Sequence, residues 1–218
     1  MDFVRASAFF AAGRIFVSKL AFAVLVGAFY LVSVAAQAQQ FDLGFGLGTV
    51  TAPSTNVGST FSGSTQSLSG GAYPVFSGDY LFRRNFGVGG EIAWRASRNL
   101  YLGFQPYRPV FFDFNGVYAP QLSKFISPEL QAGIGVSSTR FYQNFFNCSF
   151  FGGCTNYVSS NHFLGHFGAG IRLYPHGNFF IRPEAHLYLI NNNVEFSSGR
   201  LVRYGITIGY TFGSPLRY

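Results

Sequence analysis

Charged side chains are scarce in this 218-residue chain, where Asp, Glu, Lys and Arg together make up 11%, against about 25% in ordinary soluble domains. Aromatic residues and glycines are abundant instead, with 28 Phe, 13 Tyr and 27 Gly. Few charges and many aromatics favour a surface that faces lipid rather than water. The basic residues are spread singly between apolar runs, not gathered into a stripe, which argues against nucleic-acid binding.

Long apolar runs are also missing, with one exception near the N-terminus. Residues 20–34 form an uncharged apolar run, three basic residues precede it, and the small-residue pattern Ala36-Gln37-Ala38 follows. This order predicts a secretory signal peptide over residues 1–38, cleaved after Ala38. The alternative is an uncleaved membrane helix, but the run is short of the roughly 20 residues that a helical span needs. We expect a barrel over residues 39–212, a short tail over 213–218, and no transmembrane helix in the mature chain.

Cysteine is nearly absent, and the two that occur are Cys148 and Cys154. An exported protein meets an oxidising compartment, so the pair predicts a small disulfide loop. Two thiolates without a nearby His or carboxylate make a poor zinc site. We predict no metal site and no cofactor.

A period of two dominates the chain from residue 40 onward, which indicates β-strands. In the last segment Tyr204, Ile206, Ile208, Tyr210 and Phe212 share one face, and Arg203 and four Gly or Thr residues take the other. Each segment matches the roughly 9–11 residues that a tilted strand needs to cross a bilayer. The eight segments are 41–52, 72–82, 86–96, 109–119, 127–142, 162–174, 179–190 and 201–212.

The connections between these segments alternate in length. Those at 83–85, 121–125 and 175–178 are short, and those at 53–71, 97–108, 143–161 and 191–200 are long. A soluble β-sandwich also alternates apolar and polar residues, but it has no reason to place every long connection at one end. The pattern predicts an all-β fold, a closed eight-stranded antiparallel up-and-down transmembrane barrel.

The chain resembles the small eight-stranded outer-membrane barrels, a group that includes the OmpA transmembrane domain, OmpX, OmpW and opacity-type adhesins. The most specific match is the segment from Tyr204 to Phe212, which looks like the terminal signal that these proteins present to the barrel-assembly machinery. Either Phe212 or Tyr218 fills the position of the final aromatic residue. The resemblance implies a monomer in the bacterial outer membrane, in contact with its lipid and lipopolysaccharide.

The polar faces of the segments carry almost all of the acidic residues. A barrel of eight strands is only wide enough for side chains to fill it, so buried charges must pair. We predict an ion-pair plug, with a gate for small solutes or ions as the alternative. The predicted network comprises Asp79, Glu91, Arg95, Asp113, Glu129, Arg172, Arg182, Glu184, His186 and Arg203, with Asp42 and His166 on the same face.

Two loop stretches are further candidates for function. Ser159-Ser160-Asn161-His162 contains a Ser and a His but no neighbouring carboxylate, so it is a weak candidate for catalysis. The aromatic residues around the cysteines suit adhesion to a surface ligand or contact with lipopolysaccharide. We predict a non-enzymatic surface or envelope protein. The alternatives are a narrow OmpW-like channel for small or hydrophobic solutes and, more distantly, a lipid A-modifying enzyme.

Overall fold

Nine β-strands form in the computed structural model, which describes residues 40–52, 68–82, 85–101, 103–149, 153–191 and 199–213. No helix in these residues is long and apolar enough to cross a membrane. The predicted signal peptide and residues 214–218 of the predicted C-terminal tail lie outside the described residues. The strands are β1 (Gln40–Thr51), β2 (Ala72–Leu81), β3 (Phe86–Trp94), β4 (Asn99–Tyr101), β5 (Gln105–Tyr118), β6 (Ile126–Ser149), β7 (Gly153–His176), β8 (Phe179–Ile190) and β9 (Arg200–Phe212).

The strands close into a ring of antiparallel pairs. Each wall strand pairs with the next along the chain, β1 pairs with β9, and β3 pairs with β5. The three-residue β4 pairs with β5 alone and adds no wall strand. Eight strands therefore form the wall, and the closed eight-stranded antiparallel barrel predicted from the sequence is confirmed. Closure pairs the backbone groups of every wall strand on both sides.

The two ends of the barrel differ. At the end that we name the short-turn end, residues 82–85, 119–125 and 177–178 connect the strands, and β1 begins and β9 ends there. At the opposite end, the long-loop end, the connections span residues 52–71, 95–104 and 191–199, and the β6–β7 hairpin projects. Eight strands connected in sequence return the chain to its starting end.

The two faces of the wall differ as sharply as the two ends. Outward side chains are large and apolar, and Phe114, Ile134 and Ile208 are 79%, 61% and 60% exposed. Near the short-turn end the outward residues are mostly aromatic. Phe41 contacts Phe212 at 6.1 Å and Phe86 contacts Tyr118 at 4.8 Å between ring centroids. Inward side chains are mostly polar in the half of the barrel nearer the short-turn end, where Leu81, Val117 and Ala119 form a small apolar cluster, and they are apolar or aromatic nearer the long-loop end.

The β6–β7 hairpin departs from the sequence prediction, which placed a loop over residues 143–161. Most of this stretch continues the two strands beyond their neighbours, because β6 and β7 hydrogen-bond each other without a third strand. A bulge interrupts the pairing. Four residues of β6 lie between Tyr142 and Asn147, where β7 has one between Tyr157 and Thr155. This irregularity hides the alternation that would have revealed the strands. The predicted disulfide between Cys148 and Cys154 is confirmed, and it joins the two strands near the tip.

Candidate functional site

The inward faces of the strands bring the charged residues together inside the barrel. Every predicted network residue is at most 8% exposed. Inward glycines leave room for them: a Cβ at Gly89 would lie 2.2 Å from Asp79 Oδ1, and one at Gly168 would lie 2.8 Å from His186 Nδ1. The alternation along the strands thus determines which residues point into the barrel, and the inward glycines allow these residues to approach one another closely.

Nearest the short-turn end lies an inner cluster of Asp42, Asp79, Glu129, Arg172 and Arg182. Arg172 donates through Nη1 to Asp42, through Nε to Glu129 and through Nη2 to Asp79 Oδ2 at 3.0 Å. Its guanidinium thus contacts carboxylates from three other strands, β1, β2 and β6. Such multiple charge-assisted hydrogen bonds are among the stronger polar contacts in proteins.

Arg182 extends the inner cluster toward the middle of the barrel. It donates to Asp79 Oδ2 at 3.1 Å and Glu129 Oε1 at 2.7 Å through Nη1, and to Glu184 Oε2 at 2.7 Å through Nε. Its Nη2 donates to Ser77 Oγ at 3.1 Å. Each nitrogen of this guanidinium therefore has a partner, as burial of a charge requires.

A central cluster of Glu91, Asp113, His166, His186 and Arg203 lies beyond the inner cluster, and Glu184 lies between the two. Arg203 Nη2 donates to Glu91 Oε1 at 2.5 Å and lies 3.4 Å from Glu184 Oε1. Its Nε and Nη1 have no hydrogen-bond partner, and neither does Glu91 Oε2. The central cluster is thus less completely hydrogen-bonded than the inner one.

The two histidines of the central cluster form a directional chain that starts at Asp113. Asn115 Nδ2 donates to Asp113 Oδ1 at 2.5 Å, so Asn115 Oδ1 is the atom that faces His166 Nδ1 at 2.6 Å and accepts from it. A neutral His166 ring that donates through Nδ1 accepts through Nε2, and this atom lies 2.7 Å from His186 Nδ1. A neutral His186 ring that donates through Nδ1 carries its lone pair on Nε2. This Nε2 has no hydrogen-bond partner and lies 3.5 Å from Glu184 Oε1.

Aromatic rings fill the lumen between the central cluster and the long-loop end. Tyr73, Phe111 and Tyr188 stack in sequence, with centroid distances of 6.0 Å and 5.2 Å, and Tyr188 stacks on His166 at 5.0 Å. Tyr188 also donates its hydroxyl to Glu91 Oε1 at 3.0 Å. The position of Arg95 differs from the prediction. It is buried beside Gly71 at the long-loop end, and no ion pair joins it to a described carboxylate. Arg95 follows the last residue of β3, and its backbone N–H donates to the Pro109 oxygen of β5 at 3.1 Å, which places it at the long-loop end of the wall and away from the network.

Arginines and tyrosines line the outward surface at the base of the projecting hairpin. The Arg98 guanidinium lies 3.7 Å from the centre of the Tyr142 ring, and that of Arg140 lies 5.0 Å from the Tyr157 ring. The two tyrosines are cross-strand partners, and Arg108 stands directly opposite Arg140 in the pairing of β5 and β6. We name Arg98, Arg108, Arg140, Tyr142 and Tyr157 the rim patch. The sequence pattern does not reveal this patch, because Arg98, Arg108 and Tyr157 fall in stretches that it predicts to be loops.

Charge is segregated between this surface and the lumen. All six acidic residues in the described part of the chain are buried in the lumen. Glu195 lies outside the described residues. The exposed charge that the structure describes at the long-loop end is therefore positive. Like charges directly opposite each other on neighbouring strands, as with Arg108 and Arg140, destabilise a sheet unless an anion compensates them.

The Ser and His of the catalytic candidate meet at the long-loop end. Ser160 Oγ lies 2.9 Å from His162 Nε2, and His162 Nδ1 lies 3.2 Å from the backbone oxygen of Asn191. The atom that orients the imidazole is thus a backbone carbonyl, whereas a hydrolytic triad places a carboxylate there. The described carboxylates lie inside the barrel.

The predicted assembly residues lie on β9 with their side chains outward. Tyr204, Ile206, Ile208 and Phe212 are between 46% and 60% exposed, and Tyr210 contacts Phe212 at 4.8 Å between ring centroids. Tyr218 lies outside the described residues. The strand thus presents a continuous apolar stripe that ends in an aromatic pair.

The chain matches no protein-family model and no curated protein, but solved structures share its architecture. Neisserial surface protein A (NspA) superposes with a TM-score of 0.53 and 9% identity, over 79% of this chain and 96% of that protein. Ail, the attachment invasion locus protein of Yersinia pestis, superposes with a TM-score of 0.50 and 16% identity, over 80% and 97%. That Ail structure contains the heparin analogue sucrose octasulfate. At these identities the likeness establishes a shared fold.

Proposed function

We propose that this chain, which has the fold of the small eight-stranded outer-membrane barrels, is a non-enzymatic surface protein of the bacterial outer membrane. The barrel anchors a cationic and aromatic outer end, which binds the anionic groups of lipopolysaccharide. The observation that carries the proposal is the segregation of charge, with the described carboxylates inside the barrel and the arginines of the rim patch outside. In this assignment the short-turn end faces the periplasm and the long-loop end faces outward.

The outward face of the wall supports a membrane location. Water contact with apolar surface costs about 25 cal/mol per Å², and Phe45, Leu47 and Phe114 are each more than half exposed. Such a continuous apolar surface is compatible with lipid and not with solution. The aromatic residues near the short-turn end match the interfacial girdle that membrane barrels carry. Export by the predicted signal peptide belongs to the same proposal.

The filled lumen supports an anchoring role over transport. Ion pairs occupy the inner cluster, and the stacked rings of Tyr73, Phe111 and Tyr188 follow toward the long-loop end. Solute passage would require the arginines to exchange protein carboxylates for water or solute, at a cost of several kcal/mol per buried ion. We expect reconstituted barrels in planar bilayers to show no single-channel conductance steps at neutral pH. A steady conductance that the Arg172→Met variant enlarges would favour the narrow channel instead.

The rim patch and the hairpin supply the binding surface. Arginine forks match phosphate geometry, and a tyrosine face beneath a guanidinium keeps it oriented. Beyond the patch, the bulge in β6 carries Phe145 and Phe146, which are 58% and 70% exposed, and the disulfide braces the hairpin tip. Ail, a neighbour with a similar fold, was crystallised with a sulfated sugar, so the architecture is compatible with binding an anionic saccharide.

The test compares lipopolysaccharide binding by the wild type and an Arg108→Ala/Arg140→Ala variant. Full-length protein is reconstituted in phosphatidylcholine nanodiscs, and binding of purified lipopolysaccharide is measured at low and physiological salt. We expect the double variant to lose at least tenfold in affinity and much of the salt dependence. Lys124→Ala, which changes a cation at the short-turn end, is the matched control and should bind like the wild type.

Equal binding by all three proteins would contradict the proposal. Equal binding of lipopolysaccharide with and without its phosphate groups would also contradict it. The non-enzymatic assignment has a separate test, the mass spectrum of lipid A from cells that overproduce the chain. We expect an unchanged spectrum, and a shift that the Ser160→Ala variant abolishes would overturn the assignment.

A further inference from the structure

The charges buried in the lumen do not balance. Counted over the described residues, six carboxylates and four guanidiniums are buried there, and one of the guanidiniums, that of Arg95, lies at the long-loop end without an ion pair to a described carboxylate. In their ordinary ionised states these groups leave two negative charges in a region from which solvent is excluded. An uncompensated charge in such surroundings costs several kcal/mol. The lumen therefore favours an additional positive charge.

The central cluster contains the atoms that would receive this charge. One ligand atom each from Glu91, Glu184 and His186 lie within 4.8 Å of one another, and all three residues are more than nine-tenths buried. Two of the available atoms, Glu91 Oε2 and His186 Nε2, have no hydrogen-bond partner. A cation shared by the three residues would give these two atoms the partner that they lack.

The hydrogen bonds around these residues prepare them as ligands. The hydrogen-bonded chain from Asp113 through Asn115 and His166 holds the proton of His186 on Nδ1. The Nε2 atom of His186 is therefore the one that can bind a metal ion. Histidines that bind metal ions commonly donate their other ring N–H to such an outer partner. Glu184 is fixed through Oε2 by Arg182 Nε at 2.7 Å. These contacts orient the set without occupying Glu91 Oε2 or His186 Nε2.

We propose that Glu91, Glu184 and His186 bind a divalent transition-metal ion, with zinc as the best match, inside the barrel. One imidazole and two carboxylates form a ligand set that Zn²⁺ accepts at about 2.0–2.2 Å per bond. Ligand atoms at that distance from one tetrahedral ion lie about 3.3–3.6 Å apart. The set must therefore contract by at most about 1.5 Å, which side-chain rotation can provide. The ion would add two positive charges, equal to the imbalance in the lumen.

The closed lumen determines how the ion enters. Arg172 and Arg182 fill the short-turn side of the site, and stacked aromatic rings lie on the other side. The ion therefore binds as the barrel folds and exchanges slowly afterwards. Zinc that is present during folding should resist a chelator for hours, whereas zinc added later should load slowly.

The experiment refolds the full chain from urea into detergent micelles with Zn²⁺ present and measures retained metal after desalting. We expect about one zinc per wild-type barrel, and none above background in Glu91→Gln and His186→Gln. Asp113→Asn makes the same charge change as Glu91→Gln in the same cluster but removes no ligand, and it should retain the ion. A His162→Gln/His176→Gln variant should also retain it, since these imidazoles lie outside the lumen.

A second readout keeps the proposal testable if the ligand variants do not fold, as judged by heat-modifiable gel migration. Co²⁺ present during refolding should give the folded wild type a visible absorption band typical of low coordination number, and Zn²⁺ should compete it away. Folded wild type with neither retained zinc nor a cobalt band would overturn the proposal. So would a loss of zinc from Asp113→Asn equal to that from Glu91→Gln, because charge alone, carried by protons, would then explain the effect.

Discussion

The inner and central clusters both combine carboxylates with arginine, and they differ in how completely those residues are hydrogen-bonded. In the inner cluster, Arg172 and Arg182 use all their guanidinium nitrogens, and no buried side-chain oxygen of Asp42, Asp79 or Glu129 lacks a partner. In the central cluster, Arg203 uses one nitrogen. Atoms of Glu91, Asp113 and His186 remain without partners.

The difference separates two uses of buried charge. A fully bonded network resists rearrangement, since each displaced group leaves another buried and unpaired. An incompletely bonded network retains the capacity to bind a cation. We infer that the inner cluster closes the short-turn end of the barrel and that the central cluster is the site with binding capacity.

The largest expected effect is that of Arg172→Met, which removes the charge at similar volume. Asp42 would then lose its described arginine partner, and Asp79 and Glu129 would keep only Arg182. Breaking a buried pair in this way costs about 3–5 kcal/mol. Urea unfolding in lipid vesicles, followed by fluorescence of the single tryptophan, Trp94, measures the loss. Arg98→Met on the outer surface is the control and should change the free energy of unfolding by less than about 0.5 kcal/mol.

A smaller loss is expected for Arg203→Met in the central cluster. Arg203 makes one close ion pair, with Glu91, so its removal should cost about 1–3 kcal/mol. The same unfolding experiment applies, and the two arginine variants are compared directly. If Arg203→Met lowered the free energy of unfolding as much as Arg172→Met, the two clusters would be energetically alike, which would contradict the proposed difference between them.

The strand period accounts for how much of the site the sequence predicts. Alternation alone places Asp79, Glu129 and Arg172 on the inward face, and the structure buries them there. The sequence alone does not predict which of these charges form ion pairs, because Arg172 and Asp42 are 130 residues apart and meet only when the ring of strands closes. The difference in bonding between the clusters depends on register and stagger, which the period does not encode.

The projecting hairpin shows the opposite limit. Residues 143–161 lack an even alternation because the bulge shifts the side-chain direction partway along β6. A period of two does not detect strands that continue across such a shift, so the sequence pattern of this stretch predicts a loop. In the sequence, the cysteine pair indicates that two segments run side by side there. It predicts the contact between Cys148 and Cys154 but not the strands around it.

Gly168→Ala tests the geometry of the central cluster, because it perturbs this cluster without altering its charge. The new Cβ would lie 2.8 Å from His186 Nδ1 and 3.1 Å from Cε1, so the imidazole must shift. Overpacking of this kind costs about 1 kcal/mol or more, and we expect zinc retention to fall as well. The control is Gly90→Ala on the lipid-facing side, where the nearest atom is 3.6 Å away. Equal effects of the two substitutions would contradict the proposed geometry.

The smallest expected effect is that of Asp113→Asn, and its sign distinguishes the clusters. Asp113 has no arginine partner among the described ion pairs, and its Oδ2 has no hydrogen-bond partner. An asparagine keeps the Oδ1 acceptor for Asn115 and removes one of the unbalanced charges, so the free energy of unfolding should stay the same or rise by up to about 1 kcal/mol. The same change at Asp79, whose Oδ2 accepts from both Arg172 and Arg182, should lower it by about 1.5–3 kcal/mol. Measuring the free energy of unfolding of both variants at pH 7 shows whether each substitution stabilises or destabilises the barrel. If Asp113→Asn were as destabilising as Asp79→Asn, the central cluster would need all of its negative charge, and the distinction between a closing network and a binding site would fail.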